Sequence, residues 1–215
     1  MKDLILYYSQ NSSYVFSQFI RHFLISIYGV FFAALVAIPL GFLVARNKRL
    51  SDLLVGLANI LQTVPSLAML AILMFILGIG ADTVVFVVFL YSILPILKNT
   101  IAGILAIPED LMDAAKGMGM TQGQIMMKIE LPLALSVIMG GIRNALVVGI
   151  GVTAVGTFIG AGGLGSIITR GINVAKGGPI ILAGAIPTAL MAVITDFILS
   201  GLESKLAPRT LKRVE

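Results

Sequence analysis

The chain is built from long apolar blocks separated by short polar connections. About 20 consecutive apolar residues cross the hydrocarbon core of a bilayer as an α-helix. Five blocks have that length, and they cover residues 23–45, 53–77, 83–105, 131–158 and 180–202. The second block is interrupted by Gln62 and Pro65, and none of the blocks alternates apolar and polar residues as the lipid-facing strands of a barrel do. The pattern therefore predicts an all-α membrane protein with about five transmembrane helices.

The basic residues in the connections predict the orientation of these helices, because Lys and Arg are enriched in short cytoplasmic loops. Ten of them fall in connections that five alternating helices place on one side: Arg46, Lys48, Arg49, Lys98, Lys116, Lys128, Lys205, Arg209, Lys212 and Arg213. The opposite side has four, which are Lys2, Arg21, Arg170 and Lys176. We therefore expect the N-terminus outside the cell and the C-terminus in the cytoplasm.

The same pattern divides the chain into three parts. Residues 1–22 are polar and interrupted, and we expect them to form an exterior N-terminal segment, as a helix lying on the membrane surface. No secretory signal is evident, since the first apolar block is longer than the core of a signal peptide. Residues 23–202 form the predicted transmembrane domain, with a cytoplasmic segment at 108–132, and residues 203–215 form a cytoplasmic tail.

Composition supports lipid as the solvent and removes several classes of function. The chain is 58% hydrophobic and 12% charged, whereas soluble domains are about 25% charged. It contains no cysteine, which excludes disulfides, zinc–thiolate sites and cysteine nucleophiles. The net charge of +5 does not indicate nucleic-acid binding, because the basic residues do not form a stripe with interleaved aromatic residues.

The segment 108–132 has the local signals of two short helices. Pro108 and the acidic residues after it suit a helix start, and the glycines Gly117 and Gly119 end that helix. Thr121 and Gln124 match a capping box for a second helix lying across the cytoplasmic face. Pro132 marks the start of the fourth apolar block. By pattern alone, a solvated loop between two membrane helices explains the segment equally well.

The segment also resembles the signature of the permease subunits of binding-protein-dependent ABC importers. In that signature an acidic residue and two alanines are followed at fixed spacing by a glycine and an Ile-x-Leu-Pro sequence. The matching residues are Asp113, Ala114, Ala115, Gly119, Ile129, Leu131 and Pro132. The one departure is Asp113, where the family usually has a glutamate whose carboxylate reaches further.

This resemblance implies a type I ABC importer permease (MetI-like) fold in the cell membrane. It implies that residues 108–132, called the coupling segment from here on, dock on a separate cytoplasmic ATPase subunit. Small Ala114 and Ala115 would allow close approach, and Gly119 would permit a sharp turn. The implied partners are the ATPase, a second permease chain, an extracellular substrate-binding protein and the bilayer. This chain would be a transport subunit and not an enzyme, with no cofactor of its own; ATP and Mg would bind the ATPase.

Three further stretches narrow the resemblance to one branch of this family. Residues 59–80, 91–100 and 158–172 resemble the permeases for the osmoprotectants glycine betaine, carnitine and choline. Permeases for methionine share the short architecture and the GAGGLG stretch, and they are the alternative. An ion-coupled secondary transporter is a hypothesis of another class, but it needs midplane acids and usually internal repeats. This chain offers one such acid, Asp196, and no repeat.

Four other signals carry weaker interpretations. Residues 160–165 match a dinucleotide fingerprint, but they follow a membrane span, so we expect a flexible exterior turn. No P-loop sequence occurs, so the chain is not expected to bind ATP in one. His22, the only histidine, lies before the first span, which makes a histidine-centred active site unexpected. Arg143 and Asp196 lie inside predicted spans, where charges are costly; we favour a structural ion pair between them over a substrate or proton site.

Overall fold

The computed structural model describes residues 2–206, and within that range every regular element is helical. The α-helices are α1 (Lys2–Val44), α2 (Lys48–Thr63), α3 (Ser66–Leu77), α4 (Ala81–Leu105), α5 (Glu109–Gly117), α6 (Gln122–Ile125), α7 (Leu131–Val155), α8 (Leu164–Ile172) and α9 (Gly178–Leu206). A π-turn (Met126–Glu130) joins α6 to α7, and a 3₁₀ turn (Gly156–Ile159) follows α7. The prediction of an all-α protein is confirmed.

Four stretches of helix are long and apolar enough to cross a membrane: α1, α4, the continuous run Gln122–Ile159, and α9. The pair α2–α3 is a fifth span if it is counted as one broken helix, and its two halves meet at 95°. The bend has a local cause, because the residue before a proline is disfavoured in the α region and Val64 is extended (φ −69°, ψ 126°). The expectation of about five spans is confirmed on that count.

Helix α4 lies at the centre of the bundle and packs against α1, α2, α3 and α7. Glycines allow the close approaches, as is usual where membrane helices cross. A Cβ at Gly29 of α1 would lie 2.5 Å from Val88 of α4, and one at Gly41 would lie 2.5 Å from Thr100. A Cβ at Gly141 of α7 would lie 2.8 Å from the carbonyl oxygen of Pro95. Helices α1, α4 and α7 are therefore closer together than side chains larger than glycine at these positions would allow.

The structure places no helix boundary between the predicted N-terminal segment and the first span. Helix α1 runs from Lys2 for 43 residues, and its one non-helical residue is Asn11 (φ −126°, ψ 20°). Asn11 kinks the helix, and the part after the kink, residues 12–44, is about 50 Å long, which is longer than the hydrocarbon thickness of a bilayer. Its first part packs on the bundle, where the Tyr8 hydroxyl donates to the carbonyl of Ala183 at 3.2 Å. At the other end of the chain, residues 203–206 of the predicted tail continue α9, and residues 207–215 lie outside the described range.

Candidate functional site

The first half of the coupling segment is helix α5, which ends in a turn at Gly119. The N–H of Gly119 donates to the carbonyl of Lys116 at 2.9 Å, and that of Met120 donates to Ala115 at 3.2 Å. These two bonds form a Schellman motif, which requires a left-handed residue between them, and Gly119 has φ +76°. The predicted turn at Gly119 is confirmed. Gly117 does not break the helix, because it is the last residue of α5.

The second half begins with the predicted capping box. The Thr121 hydroxyl accepts from the Gln124 N–H at 3.3 Å, and the Gln124 side chain accepts from the Thr121 N–H at 2.9 Å. The expectation of a separate second helix is wrong, because α6, the π-turn and α7 continue without a break. Pro132 lies in the first turn of α7. A proline cannot donate to the carbonyl four residues earlier and its ring crowds that group, and the wider π-turn directly before it accommodates this.

The coupling segment has a small hydrophobic core of its own. Its buried members are Ile107, Met112, Ala115 and Ile125, and Met120, Ile129 and Leu133 pack against them. Ala115 has no exposed surface, so its small side chain serves packing inside the chain, and in this conformation it does not offer the partner contact that we expected. Leu131 instead packs against the main core of the bundle.

The outward face of the coupling segment is made by other signature residues. Asp113, Ala114, Gly119 and Pro132 are exposed, and Asp113 pairs with Lys116 at 3.1 Å. Beside Gly119, the side chain of Met118 is 75% exposed. An exposed methionine on a helix end is a flexible apolar contact of the kind found at binding surfaces. The face therefore combines an acidic residue, a small residue and a protruding apolar residue.

Sequence reasoning missed an ion pair at the base of the coupling segment. Glu130 occupies the variable position between Ile129 and Leu131, and its side chain is only 10% exposed. One oxygen, Oε1, accepts from both Arg46 Nη2 at 2.7 Å and Arg46 Nε at 3.1 Å. Arg46 follows the end of α1, so this pair links α1 to the coupling segment. No local signal identifies it, because the two residues are 84 positions apart.

Arg143 lies between two carboxylates of α9. Its Nε is 3.3 Å from Asp196 Oδ1, and its Nη1 is 3.1 Å from Glu203 Oε2. Asp196 and Glu203 are seven residues apart, which brings them to the same face of the helix after two turns. These contacts are ion pairs without hydrogen-bond geometry, because neither Arg143 Nε nor Glu203 Oε2 has a hydrogen-bond partner within the described residues. The structure thus brings the two predicted residues together and adds Glu203, which we had placed in the tail.

The glycine loop, residues 160–165, is held against α1 and is not a free turn. The N–H of Gly163 donates to Gln18 Oε1 at 2.7 Å, and that of Leu164 donates to His22 Nδ1 at 3.2 Å. His22 Nδ1 is thus an acceptor, so Nε2 carries the hydrogen and donates to the carbonyl of Ile150 at 3.0 Å. His22 is fully buried, and with both ring nitrogens bound to backbone groups its role is structural. The loop follows a helix, so the dinucleotide interpretation has no support.

The fold is similar to that of a solved importer. The structure of the MetNI methionine ABC transporter in an inward-facing conformation superposes with a TM-score of 0.81, at 22% identity, covering 90% of this chain and 96% of that one. At that identity the likeness shows the fold, which is the type I (MetI-like) permease fold.

Curated relatives and the family match agree with this fold. The glycine betaine/carnitine/choline transport system permease protein OpuCD of Bacillus subtilis is 56% identical over 99% of this chain and 93% of that protein. The carnitine transport permease protein OpuCD of Listeria monocytogenes is 59% identical over 99% and 96%. Residues 37–208 match the binding-protein-dependent transport system inner membrane component family. The chain belongs to this family, and it is a multi-pass permease subunit of an ABC importer.

Proposed function

We propose that this permease imports osmoprotectants of the glycine betaine, carnitine and choline class. The observation that carries the proposal is the identity of 56% and 59%, over 99% of the chain, to permeases named for these solutes. A quaternary ammonium group is usually held by a cage of aromatic rings, and this chain has no Trp and five Tyr. That composition supports selection of the solute by a separate extracellular binding protein, with this chain forming half of the pathway.

The coupling segment is the docking site for a cytoplasmic ATPase that binds ATP and Mg. The support is the exposed face of Asp113, Ala114, Met118 and Gly119, on a segment whose own small core keeps its shape. With five spans, the distribution of basic residues favours an exterior N-terminus and a cytoplasmic coupling segment. One coupling segment per chain suits a transporter made of two permease chains, identical or similar, and two ATPases.

Transport then follows from differential binding of nucleotide. ATP bound between the closed ATPases favours the conformation in which the two coupling segments lie closer together. The small core joins α5 to the end of α4 through Ile107 and to the start of α7 through Leu133. Displacement of α5 therefore moves the ends of both helices that form the centre of the bundle, and this alternates access to the pathway between the two sides.

Uptake by the complete transporter in proteoliposomes tests the proposal. Radiolabelled glycine betaine, carnitine and choline are compared with methionine, with the binding protein outside and ATP enclosed. We expect uptake of at least one quaternary ammonium solute that requires ATP and is unaffected by collapse of the ion gradients. Uptake of methionine alone would assign the chain to the alternative branch, and uptake driven by an ion gradient would contradict an ATP-driven mechanism. The purified chain alone should hydrolyse no ATP.

A further inference from the structure

The contact between Glu130 and Arg46 joins the coupling segment to a helix that its core does not include. None of the residues that form the small core of the segment belongs to α1. The end of α1 reaches the segment through Arg46, whose Nη2 and Nε both bind Glu130 Oε1. Among residues 2–206, Arg46 is the only cationic residue within 4.0 Å of the Glu130 carboxylate.

Apolar packing between the same two elements is incomplete. Next to the ion pair, an open apolar cleft of about 330 Å³ separates α1 from the π-turn. Its lining comes from α1, the π-turn and the start of α7: Ile38, Pro39, Phe42, Leu43, Met126, Met127 and Leu131. Leu43 and Met127, which line the cleft, are exposed, and among residues 2–206 the side-chain hydrogen bonds between the end of α1 and the π-turn are those of Arg46 with Glu130.

The two charged side chains differ in their exposure, and this difference favours a contact that transmits movement. Glu130 is almost buried, whereas 52% of the Arg46 side chain is exposed. Loss of its partner leaves a buried carboxylate uncompensated, which costs several kcal/mol, so separation of Glu130 from Arg46 is opposed as long as Glu130 stays buried. The carboxylate also belongs to a π-turn, an element that occurs frequently at functional sites.

We propose that Glu130 is a positioning residue that makes α1 move with the coupling segment. Between His22 and its end at Val44, α1 extends about 33 Å, which matches the hydrocarbon thickness of a bilayer, about 30 Å. At its other end, Gln18 and His22 bind the glycine loop. One helix therefore connects the ATPase-docking segment to the loop on the opposite face. This inference rests on the docking role proposed above.

The complete transporter in proteoliposomes tests this through the ratio of solute uptake to ATP hydrolysed. Glu130→Gln and Arg46→Gln each remove one charge. We expect either to lower the ratio about 5- to 150-fold, the range of a typical allosteric coupling, while the ATPase still co-purifies. The charge-reversed double variant, Glu130→Arg with Arg46→Glu, should recover part of the ratio. Arg49→Gln, which removes an exposed cation three residues after Arg46 and outside the coupling segment, is the matched control and should leave the ratio unchanged.

A second readout does not depend on the identity of the solute. The chain contains no cysteine, so spin labels can be attached at Leu43→Cys and Met127→Cys, both exposed positions on the two elements. We expect the distance between the labels to stay constant between nucleotide-free and ATP-bound complexes, and to vary in the Glu130→Gln background. Failure of the uptake assay with every solute would leave this distance measurement valid.

Three results would overturn the proposal. The first is a ratio unchanged by Arg46→Gln in a complex that still assembles with its ATPase. The second is a charge-reversed variant that does no better than either single variant. The third is a label distance that changes between the two nucleotide states of the protein with Glu130 and Arg46 intact. Each would show that the pair of Glu130 and Arg46 does not make α1 move with the coupling segment.

Discussion

Substitution of Gly119 by valine perturbs the coupling segment at one dihedral angle. A Cβ at this position would meet no atom within 4 Å, so the effect is not a steric clash with the rest of the chain. The strain comes from φ, which is +76°, a conformation that β-branched residues rarely adopt. The cost is therefore confined to the turn between α5 and Thr121, and the membrane spans stay unaffected.

The magnitude follows from the two ways in which the turn can respond. Retaining the left-handed conformation costs about 1–3 kcal/mol for a strained residue. Rotating out of it breaks the two bonds that close α5, from Gly119 to Lys116 and from Met120 to Ala115, at about 1 kcal/mol each. Both routes cost about 2 kcal/mol, so the ratio of the native to the rotated turn falls about 30-fold, from about 30:1 to about 1:1.

Two assays measure this effect on the reconstituted transporter. Gly119→Val should insert and accumulate normally, but less ATPase should co-purify and uptake should fall at least about twofold, because about half of the chains leave the native turn. Gly119→Asn should be mild, because asparagine visits the left-handed region. Gly117→Ala is the control, since Gly117 is helical and a Cβ there meets no atom within 4 Å. If Gly119→Val keeps both ATPase association and uptake, or if Gly119→Asn is equally damaging, the reasoning from φ is refuted.

Three further predictions concern other parts of the structure. Met118→Asp should weaken ATPase binding about tenfold or more without changing the thermal stability of the chain, because burial of a methionine contributes about 1.5–3 kcal/mol; unchanged affinity in a titration would contradict this. Arg143→Gln leaves Asp196 and Glu203 without their cation, so it should lower the melting temperature more than Asp196→Asn, which keeps the pair of Arg143 with Glu203. If the effects of Arg143→Gln and Asp196→Asn simply add in the variant that carries both, the two residues do not interact. His22→Ala leaves the buried Ile150 carbonyl and the buried Leu164 N–H without a hydrogen-bond partner, at about 1–3 kcal/mol each, and should increase proteolysis of the glycine loop. An unchanged rate of proteolysis would refute the role of His22 in holding this loop.

The features that could be predicted from the sequence are those that neighbouring residues determine. The turn at Gly119 and the capping box of Thr121 and Gln124 depend on hydrogen bonds across three to five residues, so the local pattern was sufficient. The break at Pro65 is of the same kind. Its 95° angle is not, because both halves pack on the distant helix α4. Gln62 Nε2 donates to the Tyr91 carbonyl at 2.6 Å and the Tyr91 hydroxyl donates to Val64, and these bonds tie the end of α2 to α4.

Errors arose where contacts between distant residues decide the structure. The polar residues before position 23 indicated a segment separate from the first span, whereas the break within α1 is the kink at Asn11, and contacts of Tyr8 with Ala183 and of His22 with Ile150 hold both sides of it on the bundle. Pro132 indicated a helix break, but the π-turn before it accommodates the proline. Arg46 was counted only as a basic residue of a loop, since its carboxylate partner lies 84 positions later.

The packing also indicates which parts of the permease can move relative to one another. Helices α4 and α7 approach so closely that a Cβ at Gly141 would lie 2.8 Å from the Pro95 carbonyl, and interiors packed in this way do not slide gradually. The small core fastens the end of each of these helices to α5 through Ile107 and Leu133.

A force applied at α5 therefore moves α4 and α7 together as one unit. Helix α1 packs as closely on this unit, because a Cβ at Gly29 would lie 2.5 Å from Val88 of α4 and Ser26 hydrogen-bonds Thr153 of α7. Relative movement is consequently left to α9 and the bent pair α2–α3, and under the proposal above the contact between Arg46 and Glu130 fastens the end of α1 to the coupling segment.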